Sequence, residues 1–332
     1  MGTGMKLLIA LHHRFELWTA PAWLRERLQK QFPKLEIVQL SDYADVAQQI
    51  LDSDAALAWS LRPEQFRAAR KLRWIHSTAA AVHQLMFPEL VESDVIVTNS
   101  RQVHGPVVAE QALALMFAVA RKIPAAVRFQ QQHVWGQEQM WLEGPMPGEL
   151  QGATLGLIGL GSIGREIAKR AAALGMRVLA VREHPERGGA EGVAAVYGTG
   201  QLGEVLAASD YVVLAAPVTA STHRLIDATR LAQMRPSACL VNVGRGVLVD
   251  EAALVQALRQ KTIAAAALDV LEKEPLPPDS PLWDMENVLI TPHTGSVAPR
   301  LWERQYALIS ENLRRFLAGE PLLGVVDKKK GY

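Results

Sequence analysis

Three short motifs in the last third of the chain carry residue types suited to acid–base work on an anionic substrate. They are Val243-Gly244-Arg245-Gly246, Leu268-Asp269-Val270 followed by Glu274-Pro275, and Pro292-His293-Thr294-Gly295. A guanidinium is a permanent cation with a planar fork that grips a carboxylate, so Arg245 suits anchoring a substrate anion. An imidazole titrates near working pH, which suits His293 to proton donation, and a glutamate such as Glu274 can fix the orientation of the ring. Singly, each has an ordinary structural reading as a surface charge, a loop carboxylate or a buried histidine. Their recurrence at the ends of consecutive apolar runs argues for a shared site, since open α/β sheets place chemistry at the carboxyl ends of their strands.

A fourth motif supplies the context. Gly159-Leu160-Gly161-Ser162-Ile163-Gly164 follows the apolar run Thr154–Ile158 and opens the helical pattern Arg165–Leu174. This is the strand–turn–helix setting in which G-x-G-x-x-G binds a dinucleotide. Gly159 permits the tight turn, Gly161 admits the pyrophosphate, Gly164 allows close helix–strand packing, and Ser162 and Ile163 begin the helix whose N–H groups face the anion. After the next strand the order is Val181-Arg182-Glu183-His184. Arg182 at the position that usually carries an acid favours the 2′-phosphate of NADP, whereas a one-residue shift would let Glu183 hold the ribose of NAD.

The elements that must position these residues come in two series. Before Pro106, short apolar runs (Lys6–Leu11, Leu35–Leu40, Ala55–Ser60, Arg73–Ser77, Val95–Asn99) alternate with amphipathic stretches such as Ala22–Gln31, and a second series of the same kind runs from Thr154 to Thr291. Alternation of this type reads as parallel α/β sheets. A long apolar helix is expected to start after Pro106 and run to Pro124, with Pro145-Met146-Pro147-Gly148 marking a loop and Arg300–Leu317 a final amphipathic helix.

Composition narrows the function classes. The chain has 332 residues, 49% hydrophobic and 21% charged, and a net charge of +1, which offers no basic field for nucleic acid. The uninterrupted apolar run Ala112–Ala120 is short of a membrane span, and Leu7–Leu11 is short of a signal-peptide core, so a cytoplasmic protein without membrane partners is expected. The one cysteine, Cys239, lies in an apolar run and reads as core packing. No metal site is expected, and Lys328–Lys330 reads as a solvated tail.

With GLGSIG, NVGRG, ALDVLEKEPL, SPLW, TPHTGS and the ending VVDKKKGY in order, the chain resembles the D-isomer-specific 2-hydroxyacid dehydrogenase family over essentially its whole length, and the ending resembles its glyoxylate/hydroxypyruvate reductase-type branch. The resemblance implies two Rossmann/flavodoxin-like parallel-sheet domains with an interdomain active-site cleft. The substrate domain would comprise residues 1–104 and 296–332, and a dinucleotide-binding domain would span 105–295. It implies reduction of a small 2-oxo acid to the D-2-hydroxy acid with NADP, or NAD as second choice. Arg245 would anchor the carboxylate, and the His293–Glu274 pair would supply the proton. Asp269, Val243, Pro217 and Gly295 would serve the cofactor, and the chain would form a homodimer through the helices after Pro106.

One loop departs from the family pattern. Where a family loop usually reads Ala-Gly-Val-Asp, this chain has Ala80-Ala81-Val82-His83. Carboxylate binding by the N–H groups of Ala80 and Ala81 therefore requires that the turn not need positive φ at Ala81. Trp135 and Trp141 could close a pocket, reach a partner's pocket or simply pack. Alternative functions are an NAD-linked dehydrogenase working in the oxidative direction, and a dinucleotide-sensing, corepressor-like binding protein.

Overall fold

The computed structural model describes residues 4–13, 15–142 and 148–331. It divides into two compact units, Met1–His104 with Val297–Tyr332, and Gly105–Ser296. Pro145–Pro147 of the expected loop lie outside the described residues.

In the first unit, β1 (Lys6–Ala10), α1 (Ala22–Gln31), β2 (Glu36–Gln39), α2 (Val46–Gln49), β3 (Ala55–Ala58), α3 (Pro63–Ala68), β4 (Trp74–Ser77), α4 (Pro88–Glu92) and β5 (Ile96–Asn99) follow in order. The strands form one parallel sheet in the order β2-β1-β3-β4-β5. Strands β1, β3 and β4 are buried along their whole length. This is why β1 and β3 read as nearly continuous apolar runs rather than alternating ones, while β4 buries His76 and Ser77 beside Trp74 and Ile75.

The next helix, α5 (Arg101–Ala120), begins five residues before Pro106 and keeps that proline inside it. The expected start after Pro106 is therefore corrected. Proline removes one intrahelical donor, and here the helix carries on around it. The helix is long and apolar enough to cross a membrane by length and composition, but most of it is buried inside the protein. Ala109, Ala112, Leu115 and Met116 pack with Leu155, Leu157 and Ile167 of the second unit's core. Lys122 takes a left-handed conformation (φ 53°) that ends this run, and α6 (Ile123–Gln131) starts with Pro124 in its first turn. A short α7 (Gln137–Leu142) follows.

The second unit continues with β6 (Thr154–Ile158), α8 (Ser162–Ala173), β7 (Arg177–Val181), β8 (Val193–Tyr197), α9 (Leu202–Ala208), β9 (Tyr211–Leu214), α10 (Ala228–Ala232), β10 (Cys239–Asn242), α11 (Glu251–Arg259), β11 (Ala265–Leu268) and β12 (Val288–Ile290). Its parallel sheet runs β12-β11-β10-β9-β6-β7-β8. The strand order reverses at β6, between β9 and β7, the switch point where doubly wound sheets bind dinucleotides. Strand β8 was not expected from the sequence; it is a half-buried edge strand, although all five of its residues, VAAVY, are apolar. Cys239 is buried in β10, and burial pushes its thiol up to about 12, so it is inert packing.

The chain ends in the first unit with α12 (Leu301–Ala318), closed by Gly319 in a left-handed cap (φ 69°). Ile309 and Leu313 of α12 enter the core beside Leu24, Leu28 and Trp74. The terminal segment then lies along β5, with a bridge between Thr98 and Val325. Lys328 is not the solvated tail residue expected. Its Nζ donates to the carbonyls of Leu90 (3.0 Å), Val95 (3.1 Å) and Ser93. Burial lowers its pKa, with Asp94 opposing, and the carbonyl oxygens replace the water its ammonium loses. Lys329 and Lys330 are exposed. Lys328→Ala should therefore lower unfolding free energy by about 1 kcal/mol, while Lys330→Ala leaves it unchanged, as read by denaturant unfolding of the two variants.

Candidate functional site

In the second unit, the glycine loop leaves β6 and enters α8 with little room to spare. Gly159 has φ 104°, and a Cβ there would lie 2.7 Å from the backbone of Ala215. A Cβ on Gly164 would sit 2.0 Å from the Gly159 carbonyl oxygen. Both positions therefore need glycine for contacts inside the protein. Gly161, the N-cap of α8, differs: its added Cβ would meet nothing within 4 Å. Space in front of a helix N-terminus, with Ser162 and Ile163 opening the first turn, fits a pyrophosphate approaching the backbone. The residues present therefore fit a dinucleotide.

Arg182 follows β7, where its N–H donates to the Tyr197 carbonyl (3.1 Å) and its guanidinium to the Gly188 carbonyl (2.9 Å). His184 beside it meets Glu186 at 3.2 Å and Glu183 at 3.9 Å. Arg182 is thus the guanidinium next to the strand end, and Glu183 turns towards an imidazole. Pro217 is exposed in the loop after β9, where its carbonyl accepts from Thr222 Oγ1 (2.7 Å). Val243 is buried just past β10.

The Arg, Glu and His motifs also fall at strand ends of this unit. His293 Nδ1 lies 2.6 Å from Glu274 Oε2. The other carboxylate oxygen, Oε1, accepts from Leu271 N–H (3.0 Å). Burial alone would raise the Glu274 pKa. The hydrogen bonds from His293 and Leu271 and the charges of His293 and Arg245 outweigh it and hold the pKa below the ordinary value. Glu274 is thus a carboxylate throughout the neutral range. Arg245 donates to the Gly244 carbonyl (2.6 Å); burial lowers its pKa, and the Glu274 charge opposes the shift.

Asp269 plays a part the sequence did not disclose. Its carboxylate is 3% exposed and gathers the loop that carries His293. Oδ1 accepts from Thr291 Oγ1 (2.5 Å), Thr294 N–H (3.1 Å) and Gln111 Nε2 (3.3 Å), and Oδ2 from Gly295 N–H (2.9 Å). Its own carbonyl accepts from His293 N–H at 2.9 Å. Inside that clamp His293 takes φ 53°, a conformation uncommon for a residue with a Cβ. Gly295 fits against Asp269 because a Cβ there would meet Oδ2 at 2.6 Å.

The expected carboxylate-binding loop belongs to the first unit. Ala80 and Ala81 follow β4, both half-buried, and Ala81 is not among the residues with positive φ, so the glycine-to-alanine departure costs no strain there. The Ala80 carbonyl is held by Asn99 Nδ2 (2.7 Å) and the Ala79 carbonyl by Ser100 N–H (3.1 Å). Trp135 is 89% exposed; the side chain of Trp141 lies outside the described residues.

Because Gly164 has no space for a methyl group, Gly164→Ala should push α8 off the turn. The expected result is at least about tenfold weaker NADPH binding in a fluorescence titration, together with lower thermal stability, from overpacking worth roughly 1–3 kcal/mol.

Comparison with known proteins follows the same line. Residues 113–295 match the family model for the NAD binding domain of the D-isomer specific 2-hydroxyacid dehydrogenases. A glyoxylate reductase of Korarchaeum cryptofilum is 36% identical over 284 residues, 83% of each chain. Among solved structures, a D-isomer specific 2-hydroxyacid dehydrogenase from Xanthobacter autotrophicus Py2 in complex with NADPH and MES superposes with a TM-score of 0.83 at 32% identity over 100% of both chains. An NADPH-dependent glyoxylate/hydroxypyruvate reductase from Sinorhizobium meliloti, in complex with NADP and sulfate, gives 0.82 at 26% identity over 99% of this chain and 100% of its own. With the glycine turn at the sheet's switch point and the Arg, Glu and His motifs at its strand ends, this chain belongs to the D-isomer specific 2-hydroxyacid dehydrogenase family.

Proposed function

We propose that the protein is an NADPH-dependent reductase of 2-oxo acids of the glyoxylate and hydroxypyruvate class, yielding the D-2-hydroxy acid. The observation that carries this reading is the 2.6 Å contact between His293 Nδ1 and Glu274 Oε2, in the unit that holds the glycine turn. When bound, the nicotinamide supplies the hydride. The protein then has to hold the substrate anion, polarise its ketone and protonate the nascent alkoxide. Arg245 takes the first two tasks, with the N–H groups of Ala80 and Ala81 sharing the carboxylate. Glu274 engages Nδ1 of His293 and leaves Nε2 to deliver the proton. Asp269 positions the histidine loop. Residues 105–295 act as the dinucleotide domain, with Gly159, Gly161, Ser162, Ile163 and Gly164 on the pyrophosphate, Arg182 on the 2′-phosphate, and Pro217, Val243 and Gly295 along the cofactor. Residues 1–104 and 296–332 act as the substrate domain.

The protein works as a cytoplasmic homodimer in this reading. What supports the dimer is an exposed apolar set on and after α5 that includes Phe117, Ile123, Val127, Val134 and Trp135. A small 2-oxo acid is its partner, with no nucleic acid or membrane involved.

His293→Ala should lower turnover by about 10²–10⁴ while NADPH still binds, the usual scale for a lost general acid. Arg245→Lys should raise KM for 2-oxo acids and lower kcat, because an ammonium lacks the planar fork. Full activity in either variant would remove that residue from the mechanism. Cofactor choice gives a separate check: Arg182→Asp should weaken NADPH about ten- to a hundredfold and leave NADH equal or better, since a lost charge-assisted pair costs roughly 1.5–3 kcal/mol. A wild-type preference for NADH, abolished by Glu183→Gln, would reverse the assignment of Arg182.

A further inference from the structure

The loop that carries Glu274 is tied to the protein at points that the acid–base pair does not explain. Leu271 and Leu276, on either side of it, are buried in the second unit's core, and the stretch between them is exposed. Inside that stretch Glu272 is gripped twice. Its N–H donates to Glu251 Oε2 at 3.2 Å, and its Oε1 accepts from Arg224 Nη2 at 2.9 Å. Arg224 also places Nη1 3.8 Å from Asp250 Oδ2. Asp250 is the N-cap of α11, its Oδ1 accepting from Ala253 N–H (3.0 Å), and Glu251 opens the helix, so both belong to a fixed helix start. Asp250, Glu251 and Glu272 thus bring three carboxylates to one corner, and the Arg224 guanidinium touches two of them. Burial pushes the Glu251 carboxyl up; the hydrogen bond from Glu272 N–H opposes this and the Glu272 charge adds to it, so the two carboxylates repel.

The backbone of Arg224 is as constrained as its side chain. It takes φ 49°, uncommon for a residue with a Cβ, and its N–H donates to the carbonyl of Val247, two residues past Arg245, at 2.8 Å. Beside it, Ile226 N–H donates to the Leu248 carbonyl and Asp250 N–H returns to the Ile226 carbonyl, both at 3.0 Å. Gly246 closes the gap from the other side, since a Cβ there would lie 1.9 Å from the Leu271 carbonyl carbon and oxygen. The segment after Arg245 and the loop of Glu274 are therefore in backbone contact, and Arg224 is bonded to both. We propose that Arg224 is a positioning residue for the acid–base pair: acting through Glu272, it sets the loop so that the Glu274 carboxylate meets Nδ1 of His293. The use of that pair for proton delivery rests on the function proposed above. Glu274 lies two residues beyond Glu272 and closes back on Leu271 N–H, so the gripped residue sits inside the turn that Glu274 completes. Without the guanidinium, Glu272 faces Asp250 and Glu251 uncompensated, and repulsion drives the loop outward. The Arg224 and Glu272 side chains are both partly open to solvent, where an ion pair adds little to global stability, so the effect is local.

The test compares the full chain with its Arg224→Met and Arg224→Lys variants by two readouts. The first is an NMR titration of His293 in histidine-labelled protein, which needs no turnover. Arg224→Met should move the His293 midpoint to lower pH by about half a unit or more, because the imidazolium loses part of its contact with the Glu274 carboxylate. Loss of a nearby cation would by bare charge move the midpoint the other way, so a fall reports the displaced carboxylate. The second readout is steady-state reduction of glyoxylate by NADPH. Arg224→Met should lower kcat about three- to tenfold and leave both KM values within about twofold, as expected of a misplaced proton donor. Arg224→Lys, which keeps a cation beside Glu272, should restore most of both effects. A His293 midpoint that stays or rises in Arg224→Met, or an unchanged kcat in that variant, overturns the positioning role. A wild type that reduces no 2-oxo acid overturns the proposed function instead, and the titration still decides whether Arg224 sets the pair.

Discussion

A buried carboxylate is an expensive thing to place in a protein unless donors surround it, and Asp269 shows how that expense can organise a site. Its donors are the Thr291 hydroxyl, the Thr294 and Gly295 N–H groups and the Gln111 amide. Three of these four come from the loop that follows β12, so satisfying the carboxylate and fixing that loop are one event. The loop has little freedom left, and His293 is held at φ 53° with its N–H on the Asp269 carbonyl. A left-handed histidine persists only when its surroundings over-determine it. Here the surroundings are the carboxylate and carbonyl of one residue at the end of β11, joined by Glu274 on the ring itself.

The parallel sheet explains why these groups can meet at all. In the register of β10 with β11 and β11 with β12, Asn242 stands beside Leu268 and Leu268 beside Ile290. The chain segments leaving those strands, which carry Arg245, Asp269 with Glu274, and His293, therefore start from adjacent positions at one edge of the sheet. Strand β6 ends at the same level, with Ile158 beside Leu214 of β9, and the glycine turn begins there. Residues as distant in the chain as Ile158 and Leu214 become neighbours because parallel strands align their carboxyl ends.

That arrangement also governs what the sequence could reveal. The glycine turn was legible because its requirement is local: a strand, a tight turn and a helix in immediate succession. Arg245, Glu274 and His293 were legible as residue types at strand ends, and their family resemblance joined them. The clamp around Asp269 was not, since two of its donors are backbone N–H groups, which every residue but proline possesses. The pairing of Arg224 with Glu272 was equally hidden, because its members come from distant segments brought together only by the fold. Strand β8 was missed for a different reason. Its run Val193–Tyr197 is apolar throughout, yet it lies half-buried at the sheet edge, where neither full burial nor a one-face alternation matches the pattern of its residues. Pro106 misled through a rule applied too strictly, and Lys328 through its neighbours, since a triple lysine run gives no sign that one ammonium will turn inward.

The first unit solves a different problem from the second. Its loop after β4 has alanine at position 81 without positive φ, and its backbone is held through its carbonyls. Asn99 and Ser100, at the end of β5, take the carbonyls of Ala80 and Ala79. The Ser100 hydroxyl in turn donates to Gln305 of α12 at 2.6 Å, and Gln305 returns to the Thr78 carbonyl. His76 sits fully buried in the same network between Thr98 and Ser100, where burial drives its pKa down to about 3 and keeps it neutral. A neutral imidazole can be donor at one nitrogen and acceptor at the other, which suits a link between two hydroxyls. In this unit, α12 and the strand-end residues of β5 fix the loop's backbone.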